Sequence, residues 1–125
     1  MHQTAITAAV EKVRVAYDER TRDLTFKTMI LGREEAAAAI RAIGQYNDYD
    51  GNKVAKAVDF LFKKKVIDGV CVGREGSPVL YLHLRRQRSA DDLEMATAFM
   101  KSVKADELHM TGLHRGPQML RAWWD

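Results

Sequence analysis

Proline is scarce in this chain: Pro78 and Pro117 are the only two in 125 residues, and neither lies in a long linker between two halves. The sequence lacks internal repeats, and its only simple stretch is the alanine run from Ala36 to Ala39. One cysteine, Cys71, excludes an internal disulfide and suits a reducing compartment. No apolar run approaches the ~18 residues of a membrane span. Met1 to Val10 has neither the basic start nor the apolar stretch of a secretion signal, so a cytoplasmic protein is expected. What is present is ordinary globular composition, 46% hydrophobic and 30% charged. A chain of this length buries roughly two thirds of its unfolded surface, enough for one unstapled domain over residues 1–125.

Recognisable catalytic machinery is also missing. There is no G-x-S-x-G elbow, and Gly73-Arg74-Glu75-Gly76 does not lead into a helix as a phosphate cradle must. Asn47 to Gly51 has the outline of a calcium loop. Aligning Gly51 with the invariant glycine, however, puts Tyr46 and Ala57 at the first and twelfth ligand positions, where neither can coordinate. His109 with His114, and Cys71 with His83, lack the spacing of a zinc motif. Asp91, Asp92 and Glu94 are the carboxylates expected in a first helical turn. No catalytic residue, metal or cofactor is expected.

Apolar spacing of three and four predicts a helix over Thr4–Arg20, carried by Ile6, Ala9, Val10, Val13, Ala16 and Tyr17. Val13, Val15 and Tyr17 can also alternate on a strand, and helix is the preferred reading. Leu24 to Leu31 reads as a strand, and a helix follows Gly32, with Ala36, Ala39, Ile40 and Ile43 on its apolar face. Gln45 to Gly51 is a loop, with Asp50 or Asn52 capping a helix that runs to about Lys65. Val66–Val72 and Val79–Arg85 read as the strands of a hairpin. Ser89 and Asp92 form a capping box for a last long helix to about Lys104. The tail ends in a short turn whose Met119, Leu120, Trp123 and Trp124 are expected to dock on the domain or on a second subunit.

Charge is unevenly spread. Lys53 to Arg88 holds nine basic residues against three acids, a segment charge of +6 that leaves −3 for the remainder. On the 52–65 helix, Val54, Ala57, Val58 and Leu61 share one side, while Lys53, Lys56, Lys63 and Lys64 share the other, with Phe60 among them. Residues 24–84 thus run strand, helix, helix, strand, turn, strand, the closest stretch being NKVAKAVDFLFKKKVIDG, and this order resembles a winged helix. The 45–51 turn is longer than the three or four residues usual in that motif.

The resemblance implies an α+β, winged-helix-like fold in which a C-terminal helix and tail (90–125) are added to the core. It also implies a homodimeric DNA-binding regulator rather than an enzyme. Asn52, Lys53, Lys56, Phe60, Lys63 and Lys64 on the helix would contact duplex DNA, with Arg74, Arg85, Arg86 and Arg88 on the wing reaching phosphates. The alternative is a module that uses the same basic face, anchored by Phe60, against an acidic protein. The first reading needs an uncovered lysine ridge and a hairpin that protrudes beside it.

Overall fold

A computed structural model of the chain describes residues 2–18, 30–85, 90–112 and 118–125, with side chains for 6–14, 30–85, 90–111 and 118–125. Within these residues the fold is mixed α+β. Its elements are α1 (His2–Asp18), α2 (Arg33–Ile43), β1 (Gln45–Tyr46), β2 (Tyr49–Asp50), α3 (Gly51–Lys63), β3 (Ile67–Arg74), β4 (Pro78–Leu84), α4 (Ala90–Ser102), β5 (Glu107–Gly112) and β6 (Gln118–Trp123).

The helical reading of the N-terminus holds: α1 runs to Asp18, and Ala9 and Val13, four apart, enter the core. Of the strand expected over 24–31, residues 24–29 lie outside the described residues. Leu31 alone forms an antiparallel bridge to Val70, with N–H···O distances of 2.8 and 3.1 Å. α2 buries Ala36, Ala39 and Ile40, small enough for α3 to approach closely. The approach is closest at Gly51, where a Cβ would fall 2.9 Å from the Gly44 carbonyl oxygen and 3.1 Å from that of Ile40. Gly44 itself caps α2 at φ 83°, in the region that favours glycine.

The segment read as a loop is a miniature hairpin, β1 paired with β2 across a turn in which Asn47 takes φ 49°. Its Tyr49 is fully buried, donates to the Ile40 carbonyl at 2.8 Å and meets the Trp124 indole edge-on, centroids 5.1 Å apart. An aromatic inside a polar turn sequence gave no sign of this role. Asp50 caps α3 as expected, accepting from the amides of Asn52 and Lys53. α4 ends at Ser102, and the Ser89 half of its proposed capping box lies outside the described residues.

The tail departs most from expectation. Residues 107–112 and 118–123 are strands, not a short turn, and β6 inserts between β4 and β5 in an antiparallel sheet ordered β3-β4-β6-β5. Leu120, Ala122 and Trp124 alternate along β6 towards the core, while Met119, Arg121 and Trp123 face the other way. The period of two was obscured because Met119 and Trp123 on the outer face are apolar as well. Val70, Val72, Leu80 and Leu82 share the face of Leu120 and Ala122. Trp124, the next residue on that side, packs on Tyr49 and donates its indole N–H to the Val103 carbonyl at 2.9 Å, so this face looks into the helices.

The β3–β4 hairpin exists, but it is not a free wing, because β6 occupies the second edge of β4 through five residue pairs. Its tip is held too: Glu75 receives Tyr81 Oη–H on one carboxylate oxygen and Arg121 on the other, and its carbonyl accepts Trp123 Nε1–H at 2.8 Å.

Truncating Trp124 to Ala is expected to cost about 3–5 kcal/mol, the range for a large buried aromatic. Tyr49→Phe, which loses the bond to Ile40, is expected to cost about 1 kcal/mol. Urea unfolding followed by tryptophan fluorescence for the second variant and circular dichroism for both checks this. A Trp124→Ala protein as stable as wild type would mean that the C-terminus is not docked in the core.

Candidate nucleic-acid interface

α3 divides cleanly. Val54, Ala55, Ala57, Val58 and Leu61 are buried, whereas Asn52, Lys53, Lys56, Lys63 and Lys64 are exposed. The division follows from the helical period, since positions 53, 56, 60, 63 and 64 recur at three and four and form one stripe. At 1.5 Å per residue the stripe from Lys53 to Lys64 is about 16 Å long. Among the described residues none of these lysines enters an ion pair. Asp59, the acid nearest the stripe in sequence, is engaged elsewhere: Arg33 of α2 grips it with both arms at 2.5 and 3.0 Å. That hydrogen bond, more than the charge beside it, holds the Asp59 carboxyl below its ordinary range.

Phe60 sits on the stripe but is not a free anchor. Its ring stacks on Phe99 of α4, centroids 4.9 Å apart and 28° from parallel, and Lys64 Nζ lies 5.5 Å from the ring centroid. The ring is 36% exposed and works as a strut: it fixes α4 against α3 and gives the Lys64 ammonium a preferred position. Packing of Phe60 against the C-terminal helix is an arrangement the sequence allows, and the structure shows it, with Phe99, a residue not singled out, as the partner.

The arginines expected on the wing separate. Arg85 is exposed at the end of β4, where its amide donates to the Val66 carbonyl and its guanidinium reaches the Lys65 carbonyl at 3.3 Å. It therefore extends the C-terminal end of the stripe, together with exposed Lys65, which sits at φ 59° and had not been singled out within the Lys63-Lys64-Lys65 run. Arg74 is half-buried at the opposite end of the hairpin, paired across the sheet with Pro78. Seven strand steps separate it from the Ile67–Leu84 end, about 23 Å. Arg86 and Arg88 lie outside the described residues. Of the four residues expected at an interface, Leu120 and Trp124 are buried within their own chain and Met119 and Trp123 half-buried, so the tail docks on the domain itself.

Beside the N-terminal end of the stripe, Gln45, Asn47, Asp48, Asp50, Lys53, Ser102, Val103 and Lys104 line a cavity of about 200 Å³. Its charges are of both signs, and Asp50 already occupies the amides of the helix N-terminus, so it offers no anion site.

The sheet face turned away from the helices carries the other polar groups. Glu107, His109, Arg121, Tyr81 and Cys71 share it across the strands. Arg121 bridges Glu75 at 3.0 Å and Glu107 at 3.5 Å. Cys71 Sγ lies 3.3 Å from His83 Nε2. Burial pushes the Cys71 thiol up to about 11, so at neutral pH the pair is a thiol beside an imidazole rather than a reactive thiolate. Burial also holds His83 below its ordinary value, against the opposing pull of Asp68. Tyr81 is pushed up to about 12, first by burial and then by its bond to Glu75.

No family model, curated protein or solved structure matches the chain.

The raised groups make the fold alkali-sensitive. Because the folded protein holds the Cys71 and Tyr81 protons more tightly than the unfolded chain, their contribution is complete below about pH 9 and is lost as pH rises from there to about 12. Urea midpoints measured from pH 8 to 12 should fall for wild type. Tyr81→Phe should flatten the upper part of that fall and Cys71→Ala the lower part. Identical slopes in all three proteins would show that neither proton is linked to folding.

Proposed function

We propose that this chain is a non-enzymatic DNA-binding protein that grips duplex DNA through α3 alone and acts as a regulator by occupying it. The winged mode, which required a protruding hairpin, is given up because β6 pairs with β4, and the uncovered lysine side of α3 is what remains of that reading. One observation carries the reading: Lys53, Lys56, Lys63 and Lys64 stand exposed along a single side of α3 and, among the described residues, none of them is held in an ion pair. The stripe, about 16 Å long, exceeds the ~12 Å width of a major groove, so lysines at its two ends match phosphates on both flanking strands. Arg85 and Lys65 extend the positive surface at one end.

Lysine ammoniums neutralise phosphates and release counterions but read little sequence. Among the described residues of α3, Asn52 is the exposed side chain able to bond two atoms of a base edge. The expected behaviour is therefore affinity dominated by salt, with weak sequence preference. An acidic protein partner is the second reading; Phe60 offers it a smaller anchor than a free ring would, because one face is stacked on Phe99 and 36% of the residue stays exposed.

Fluorescence anisotropy of a labelled duplex over a salt series tests this. With about four lysines on phosphates, log K should fall with log salt at a slope near −3.6, about a hundredfold between 50 and 200 mM. The triple change Lys53→Glu, Lys56→Glu, Lys63→Glu should remove nearly all of the binding. Absence of binding at 50 mM salt, or affinity unmoved by the triple change, overturns the proposal.

A further inference from the structure

The far edge of the sheet carries a second surface, independent of α3. β5 is the last strand in the order β3-β4-β6-β5, and among the described residues nothing pairs with its outer edge. The opposite edge is covered at Val70 by Leu31, whereas β5 presents six residues in unbroken register with β6. Its only charged side chain of fixed sign is Glu107 at one end, and it has no lysine, no proline and no bulge. Met110, 41% exposed, and half-buried Leu108 lie on its helix-side face.

The residues of this strand are complementary to themselves. Glu107 and His109 share the outer face, exposed and 3.4 Å apart (Oε1 to Nε2). When two copies of an edge strand pair antiparallel about an axis normal to the sheet, residues of like parity come opposite one another, because opposed side chains must lie on the same face. With that axis at Leu108, each Glu107 stands across from His109 of the second copy, and the two Leu108 side chains meet on the other face. Placing the axis at His109 instead would set the two imidazoles against each other, and placing it at Met110 would set Glu107 opposite a position beyond β5, with no imidazole N–H to accept from.

We propose that a second copy of this chain pairs antiparallel with β5 through residues 107–109, centred on Leu108, to form one eight-stranded sheet with both helical layers on the same side. The tail residues Met119, Leu120, Trp123 and Trp124 then serve the dimer only indirectly, by holding β5 in place through β6.

Light scattering coupled to size exclusion, over a concentration series of the full chain, tests the pairing. Wild type should run as a dimer. His109→Glu, which sets carboxylates against each other across the axis, and Glu107→Lys, which removes the acceptor facing His109, should each weaken the dimer about tenfold. The double variant, which exchanges the charges, should restore it. Both side chains are exposed, so the variants should keep the wild-type circular dichroism spectrum. A wild-type monomer at high micromolar concentration overturns the proposal. So does a dimer indifferent to both single changes, or single-variant defects that the double exchange does not repair. Because mass is measured without DNA, failure here is distinguishable from failure of the α3 reading.

Discussion

The indole of Trp124, buried against Tyr49 and bonded to the Val103 carbonyl, ties the C-terminus to the 45–50 turn and to the end of α4. It sits at the end of β6, the strand that turns a two-stranded hairpin into a four-stranded sheet. An isolated hairpin is at best marginally stable in water, and a third strand with a packed face is what gives it independent stability. With β6 in place, β4 is paired on both edges, α4 closes over the helix-side face and the 45–50 turn is anchored from within. The same insertion removes the protruding ribbon on which a winged mode of DNA contact relies.

The α3 surface survives this change because it is set by a different constraint. Gly51 allows the start of α3 to lie against the end of α2, and Arg33 clamps Asp59 on the same side. Once that angle is fixed, the helical period delivers the lysines outward. Phe60 shows how a basic face can carry an aromatic for structural reasons: its ring is consumed by Phe99 and by the Lys64 ammonium.

Much of this was legible in the residues. The α2–α3 pair, the Asp50 cap and the hairpin register follow from spacing and turn chemistry over short distances. The central position of β4 also left a trace that the hairpin reading passed over. Val79 to Leu84 is apolar at nearly every position, the pattern of a strand buried on both faces, not of a wing with one side in water. Tyr49 left no such trace, since a tyrosine between two aspartates in a turn looks solvated until an indole distant in sequence arrives beside it. Arg74 and Arg85 look equivalent in a list of basic residues, and only the length of the strands sets them at opposite ends of the hairpin.

By itself, the sequence determined the local objects: an amphipathic helix with a cationic side, its cap and a hairpin; the C-terminal segment it left as a short turn. Those depend on propensity and period, which neighbouring residues encode. The tertiary structure alone decided where that last segment went, and with it which basic residues share a surface and which sheet edge stays open. Strand pairing between residues some forty positions apart is settled by competition among edges for backbone hydrogen bonds, and no run of neighbouring residues records the winner.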